Sequence, residues 1–162
     1  MRNIRSALRS RALAGALAIA GLALSAEAFA HGDVVPHAVD TSSLPQLGEE
    51  WRDNNPYTGN NDAIKLGQSA FGQNCARCHG LDAISGGIAP DLRKLDRDCM
   101  DIPNEKKKAA CYKEVNQYFL MSIRGGKVRN GAIYMPPFEG ILSQEAMWSI
   151  KAWLETRRTK DE

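Results

Sequence analysis

Histidine is scarce in this chain, and none of the three, at positions 31, 37 and 79, lies in its second half. A metal held by His79 could therefore draw a second imidazole only from the first 37 residues. That leaves an enzyme needing distal acid–base histidines little to work with. Closely spaced cysteine pairs are equally few. Of the four cysteines one pair is three positions apart, Cys75 and Cys78, and the other twelve, Cys99 and Cys111. A four-cysteine zinc site wants two close pairs, so the pattern does not fit one. Long apolar runs are missing as well. The Ala/Leu-rich stretch from Ala12 to Ala26 falls short of the roughly 20 residues that a bilayer span requires.

What that short run does fit is an export signal. Arg2, Arg5, Arg9 and Arg11 precede it, and Ala28-Phe29-Ala30 follows with the small residues a signal peptidase needs. Residues 1–30 are read as a cleaved signal peptide, with the mature chain starting at His31. These thirty residues contain no twin-arginine pair, which predicts export in the unfolded state. The formal charge of +2 belongs mostly to this label: beyond it remain 17 basic and 18 acidic side chains. A net charge of −1 gives no reason to expect a nucleic-acid partner. The basic surplus is local, falling in residues 75–130.

Within that basic stretch lies Cys75-Ala76-Arg77-Cys78-His79, the C-x-x-C-H spacing for covalent heme attachment. Two thiols three positions apart on a helical turn can bond the two vinyl groups of a porphyrin. The histidine that follows is then held under the iron as its proximal ligand. A thioredoxin-like dithiol would need a βαβ setting, whereas the flanking sequence has a helical pattern.

The second axial ligand is expected to be Met135. It sits in Gly131-Ala132-Ile133-Tyr134-Met135-Pro136-Pro137-Phe138, a non-helical segment stiffened by two prolines. A weak iron–thioether bond needs such a rigid mount, and histidine–methionine ligation raises the heme potential as electron transfer requires. Met121 and Met147 lie in apolar-periodic helices and are read as core. Met100 adjoins Cys99.

These residues together resemble the class I cytochromes c. The resemblance implies an all-α fold: three main helices and long loops around one covalently bound heme c. Asp62 to Phe71 is similar to the family's first helix, with Gly67 and Phe71 on one face. A middle helix runs from about Lys113 to Arg124 and stops at Gly125-Gly126. The last helix starts at Ser143 as N-cap, continues to about Arg157 and carries Ile150, Trp153 and Leu154 as its apolar stripe. Pro90 matches the family's proline whose carbonyl receives the proximal histidine's ring N–H. The implied site is Cys75, Cys78, His79, Met135 and Pro90, with His79 and Met135 on the metal. The implied domains are an extended arm over 31–61, the monoheme domain over 62–158 and a tail over 159–162.

A closer resemblance, to the periplasmic cytochromes c-550 that serve PQQ-dependent ethanol dehydrogenases, rests on several further segments. They include His31-Gly32-Asp33-Val34-Val35-Pro36, Leu47-Gly48-Glu49-Glu50-Trp51 and Ser85-Gly86-Gly87-Ile88-Ala89-Pro90. It implies a periplasmic one-electron carrier, not itself an enzyme. Its donor would be a PQQ-dependent alcohol dehydrogenase, and its acceptor a terminal oxidase or another cytochrome. A methanol dehydrogenase as donor shares most of these features. A heme peroxidase or a heme sensor fits less well, lacking distal acid–base groups or a signalling domain.

Three smaller expectations complete the reading. In an exported chain Cys99 and Cys111 should form a disulfide, closing a loop worth about 3 kcal/mol in the chain-entropy model. Arg124, Lys127 and Arg129 are read either as ordinary surface charge or as a positive rim near the heme edge that steers an acidic partner. Trp51 and Tyr57 should pin the arm against the globule.

Overall fold

A computed structural model describes residues 35–85, 87 and 89–159. The expected signal peptide, the mature start at His31, and Gly86 and Ile88 lie outside the described residues. Helix α1 spans Asn61–Asn74. It starts where Asn60 caps it, the side-chain oxygen accepting from the Asp62 and Ala63 amides at 3.0 Å each. Its buried face is Ala63, Gly67, Ala70, Phe71 and Asn74, a spacing of three and four residues. One turn, α2, Ala76–His79, follows at once and ends at Gly80, whose φ of 75° a residue with a side chain rarely adopts. A second single turn, α3, covers Arg97–Met100.

Helix α4, Glu105–Gly125, begins well before the expected Lys113. Asn104 caps it through the Lys107 amide, and Glu105 places an acid at the positive end of the helix dipole. The segment between the cysteines is thus helical in its second half. Cys99 and Cys111 are bonded across it, with a Cα separation of 5.6 Å. Helix α4 buries Asn116, Phe119, Leu120 and Ile123. Met121 points the other way and is 67% exposed, so it is no core residue, whereas Met147 is fully buried.

Beyond α4 the chain makes a hairpin of β1, Lys127–Arg129, and β2, Ala132–Met135. The strands are antiparallel, with Val128 opposite Ile133 and Lys127 opposite Met135. Helix α5, Gln144–Thr156, is capped by Ser143 as expected, its hydroxyl accepting from the Ala146 amide at 3.2 Å. Eleven of its thirteen residues are buried.

Helices α1 and α5 cross at Gly67. A Cβ there would lie 1.9 Å from the Ser149 carbonyl oxygen, so only hydrogen fits. One turn on, the rings of Phe71 and Trp153 meet with centroids 4.5 Å apart. This mostly helical architecture, five helices and one small hairpin among the described residues, agrees with the class I cytochrome fold.

Residues 35–60 have no regular structure, yet they are laced to α5. The Leu47 amide donates to Glu145 Oε1 at 2.8 Å and the Arg52 amide to Gln144 Oε1 at 2.7 Å. Gln144 Nε2 in turn donates to the Glu50 carbonyl at 3.0 Å. Leu44 and Tyr57 join the core, and the Tyr57 hydroxyl donates to the Pro45 carbonyl. Side-chain bonds to an irregular backbone thus replace the ladder it lacks.

Candidate functional site

Helices α1, α4 and α5 and the hairpin enclose a cavity of about 540 Å³. That lies within the roughly 300–1,000 Å³ common for cofactor sites. Phe71 of α1, Phe119 and Ile123 of α4, and Ile150 and Leu154 of α5 form apolar walls, and Leu92 and Leu95 add a further side.

Cys75, Cys78 and His79 all line it. The break between α1 and α2 puts them there. Cys75 is at once the last cap of α1 and the first of α2, its amide donating to Phe71 and its carbonyl accepting from Cys78 and His79 at 3.1 and 3.0 Å. Both thiols are free. Burial, with the Cys78 thiol second, pushes the Cys75 thiol up to about 12. A redox dithiol depends on the opposite, a thiol whose pKa is lowered.

The His79 ring is oriented by Pro90, whose carbonyl lies 3.1 Å from Nδ1. A carbonyl can only accept, so Nδ1 carries the proton and Nε2 keeps its lone pair. Burial holds the imidazole below its usual pKa, opposed in part by the Pro90 bond. The ring is therefore neutral and ready to act as a ligand at neutral pH.

Met135 ends β2 and lines the same cavity, where it is the one methionine among the described residues. The loop beyond it is fastened to the end of α4. The Phe138 amide donates to the Ile123 carbonyl at 3.0 Å, and the Glu139 amide to Arg124 at 3.4 Å. Gly126 lets the two segments close. A Cβ there would stand 2.4 Å from the Met135 carbonyl oxygen and 2.8 Å from the Pro136 carbonyl carbon, and its φ is +68°. The sequence reading treated Gly126 only as a helix stop. Its seat under Met135 is a tertiary fact that no local pattern announces.

Asn74 was also missed. It is buried next to Cys75 and accepts from the His37 amide at 2.7 Å, tying the start of the arm to the attachment turn. Ser122 Oγ, on the cavity wall, is buried without a hydrogen-bond partner. An orphaned hydroxyl among apolar walls, two free thiols, a neutral imidazole and a thioether together fit a covalently bound heme. No group of three or more His, Cys, Asp or Glu side chains forms a bare metal site among the described residues.

The expected basic rim is divided by the structure. Lys127 and Arg129 are exposed at the cavity mouth, with Lys127 Nζ 4.7 Å from the centre of the Tyr118 ring. Arg124 is not a free rim charge. Its guanidinium lies 4.1 Å over the Trp51 ring and donates to Glu139 from both Nε, at 3.0 Å, and a terminal nitrogen.

Comparison with known proteins gives a consistent picture. Residues 62–154 match the family described as cytochrome C oxidase, cbb3-type, subunit III. Cytochrome c550 of Pseudomonas aeruginosa is 46% identical over 152 residues, covering 91% of this chain and 95% of that protein. Quinohemoprotein alcohol dehydrogenase ADH-IIG of Pseudomonas putida is 33% identical over 103 residues, 63% of this chain but 12% of that protein. Quinohemoprotein alcohol dehydrogenase ADH IIB of the same species is 26% identical over 106 residues, 65% and 13% of the two chains. No solved structure matches significantly.

Proposed function

The chain belongs to the cytochrome c family, electron-transfer proteins with covalently bound heme c, and from that premise we propose that it is a periplasmic carrier between a PQQ-dependent alcohol dehydrogenase and a terminal oxidase or another cytochrome. The observation that carries the reading is the convergence of Cys75, Cys78, His79 and Met135 on one apolar cavity. A heme supplies a one-electron couple there. Cys75 and Cys78 anchor the ring, His79 offers Nε2 to the iron, and Met135 offers its thioether from the hairpin side. The apolar walls exclude water from the metal and favour the less charged reduced state, as a thioether ligand also does.

Alcohol oxidation as the source of electrons is supported by two relatives that are themselves quinohemoprotein alcohol dehydrogenases, each similar to this chain over about a hundred residues. Periplasmic location is supported by the export signal in the sequence and by a disulfide, which persists in oxidising compartments. No helix among the described residues is long and apolar enough to cross a membrane.

The test is anaerobic mixing of the oxidised holo-protein with a PQQ-dependent ethanol dehydrogenase and ethanol, following heme reduction optically. Fast, saturable reduction that slows with added salt is the expected result. A heme that stays oxidised there, but is reduced by a methanol dehydrogenase or a quinol-linked donor, overturns the donor assignment.

A further inference from the structure

Arg124 joins two segments that are 88 residues apart in the chain: Trp51 in the arm and Glu139 beyond the methionine loop. Its side chain is about two-thirds buried. The guanidinium carbon lies over the indole, 4.1 Å from the ring centre, and the same group is tied to Glu139 Oε1 through two of its nitrogens. Stacking and a two-nitrogen carboxylate contact use both recognition modes that distinguish arginine from lysine.

Glu139 lies four residues after Met135, and the chain between them is stiff. Pro136 and Pro137 fix two φ angles, and Phe138 is buried with its amide bonded to Ile123. A displacement at Glu139 therefore has few torsions in which to dissipate before it reaches Met135. On the other side Trp51 is held in place because its neighbour Arg52 donates its amide to Gln144 of α5.

We propose that Arg124 is a positioning residue: a clasp through which the N-terminal arm, at Trp51, keeps the Met135 loop closed over the iron. The inference rests on Met135 being the axial ligand. It assigns the arm a role in the redox site without direct contact with the heme. It also removes Arg124 from the group of charges available to a docking partner. An iron–thioether bond is weak, so the loop's own stability decides how often the position opens. A clasp outside the cavity can then control it.

The test uses the intact holo-protein in its ferric form, with imidazole as the probe. Two readouts are taken: the weak far-red absorption that methionine ligation gives ferric heme, and the affinity for imidazole. Met135→Ala marks the open limit. Arg124→Leu and the exposed-site variant Glu139→Gln should each raise imidazole affinity about tenfold and lower the reduction potential. Trp51→Leu should shift both in the same direction by a smaller factor. Arg124→Lys, which keeps the charge but not the planar stack, should recover only part of the loss. If the unaltered protein lacks the far-red band, the ligand assignment falls and this inference with it. If the band is present, yet Glu139→Gln or Trp51→Leu leaves imidazole affinity and potential unchanged, the clasp is wrong and the ligand assignment stands.

Discussion

Helix α5 is buried on two sides, and the two sides are made of opposite materials. Ile150 and Leu154 line the heme cavity. Their immediate neighbours Lys151 and Glu155 face a charged layer at the other side. Lys151 Nζ, only 1% exposed, donates to both Asp96 carboxylate oxygens at 3.1 Å and to Glu155 at 3.3 Å. Arg158 Nε completes the group on Asp96 at 2.6 Å. Two cations and two carboxylates balance, which is the condition under which ions can stay out of water. The apolar side must accept a large ring and keeps little polarity. The ionic side must join α5 to the turn before α3 in one register, and charges do that more selectively than methyl groups. Burial alone thus says little about what a face is for.

The comparison can be broken most severely at the crossing that sets both faces. Gly67→Ala forces the α5 backbone away from α1, because the clash is with the Ser149 carbonyl rather than with a pliant side chain. We expect a loss above about 4 kcal/mol in denaturant unfolding of the holo-protein, beyond ordinary overpacking. Both the heme spectrum and the ionic layer should be disturbed.

A paired substitution separates the two faces. Lys151→Met leaves Asp96 with Arg158 alone and should cost about 3 kcal/mol, the lower end for a broken buried pair. Its reduction potential should not move. Leu154→Ala, three residues on, should cost about 2–3 kcal/mol through the cavity it opens, and there the potential should change. Equal effects of both on the potential would mean that the two faces are not independent.

The smallest effect concerns the end of the helix, where a buried acid is satisfied by hydrogen bonds instead of ions. Burial on its own would raise the Glu145 carboxyl, but the amides of Leu47 and of Glu145 itself and the Ser143 hydroxyl outweigh it and hold it below its ordinary value. A lowered folded-state value means that the contribution is complete above the unfolded carboxyl's pKa and is lost as pH falls through the folded one. Hydrogen exchange at the Leu47 amide should therefore speed up below about pH 4 beyond the intrinsic trend. In Glu145→Gln the extra acid-dependent step should disappear.

Much of the site could be read locally. Cys75, Cys78 and His79 are a contiguous chemical pattern, and Met135 stands out because two prolines follow it. Gly67 and Phe71 on one face, and Ser143 as a cap, follow from helix periodicity and end chemistry, and the cap is where it was expected. The middle helix was read too short because its first turns, Glu105 to Ala110, carry charge and no apolar stripe. Only the cap at Asn104 and the packing further on account for them. Met121 was misplaced because a methionine among apolar residues does not reveal its phase. The turn that brings Phe119, Leu120 and Ile123 inward leaves it facing water.

By itself the sequence carried the proposed chemistry: which side chains would anchor a porphyrin, which would ligate its iron, and which segments are helical enough to bring them near. Those properties depend on spacings of three or four residues and on side-chain reactivity, which are local. Tertiary structure alone decided the partners of Arg124, the seat of Gly126 under the Met135 loop, and the splitting of α5 into an apolar and an ionic face. Each joins groups from 9 to 88 residues apart. Such contacts form only after the helices have packed, when the distance between two side chains no longer depends on the length of chain between them.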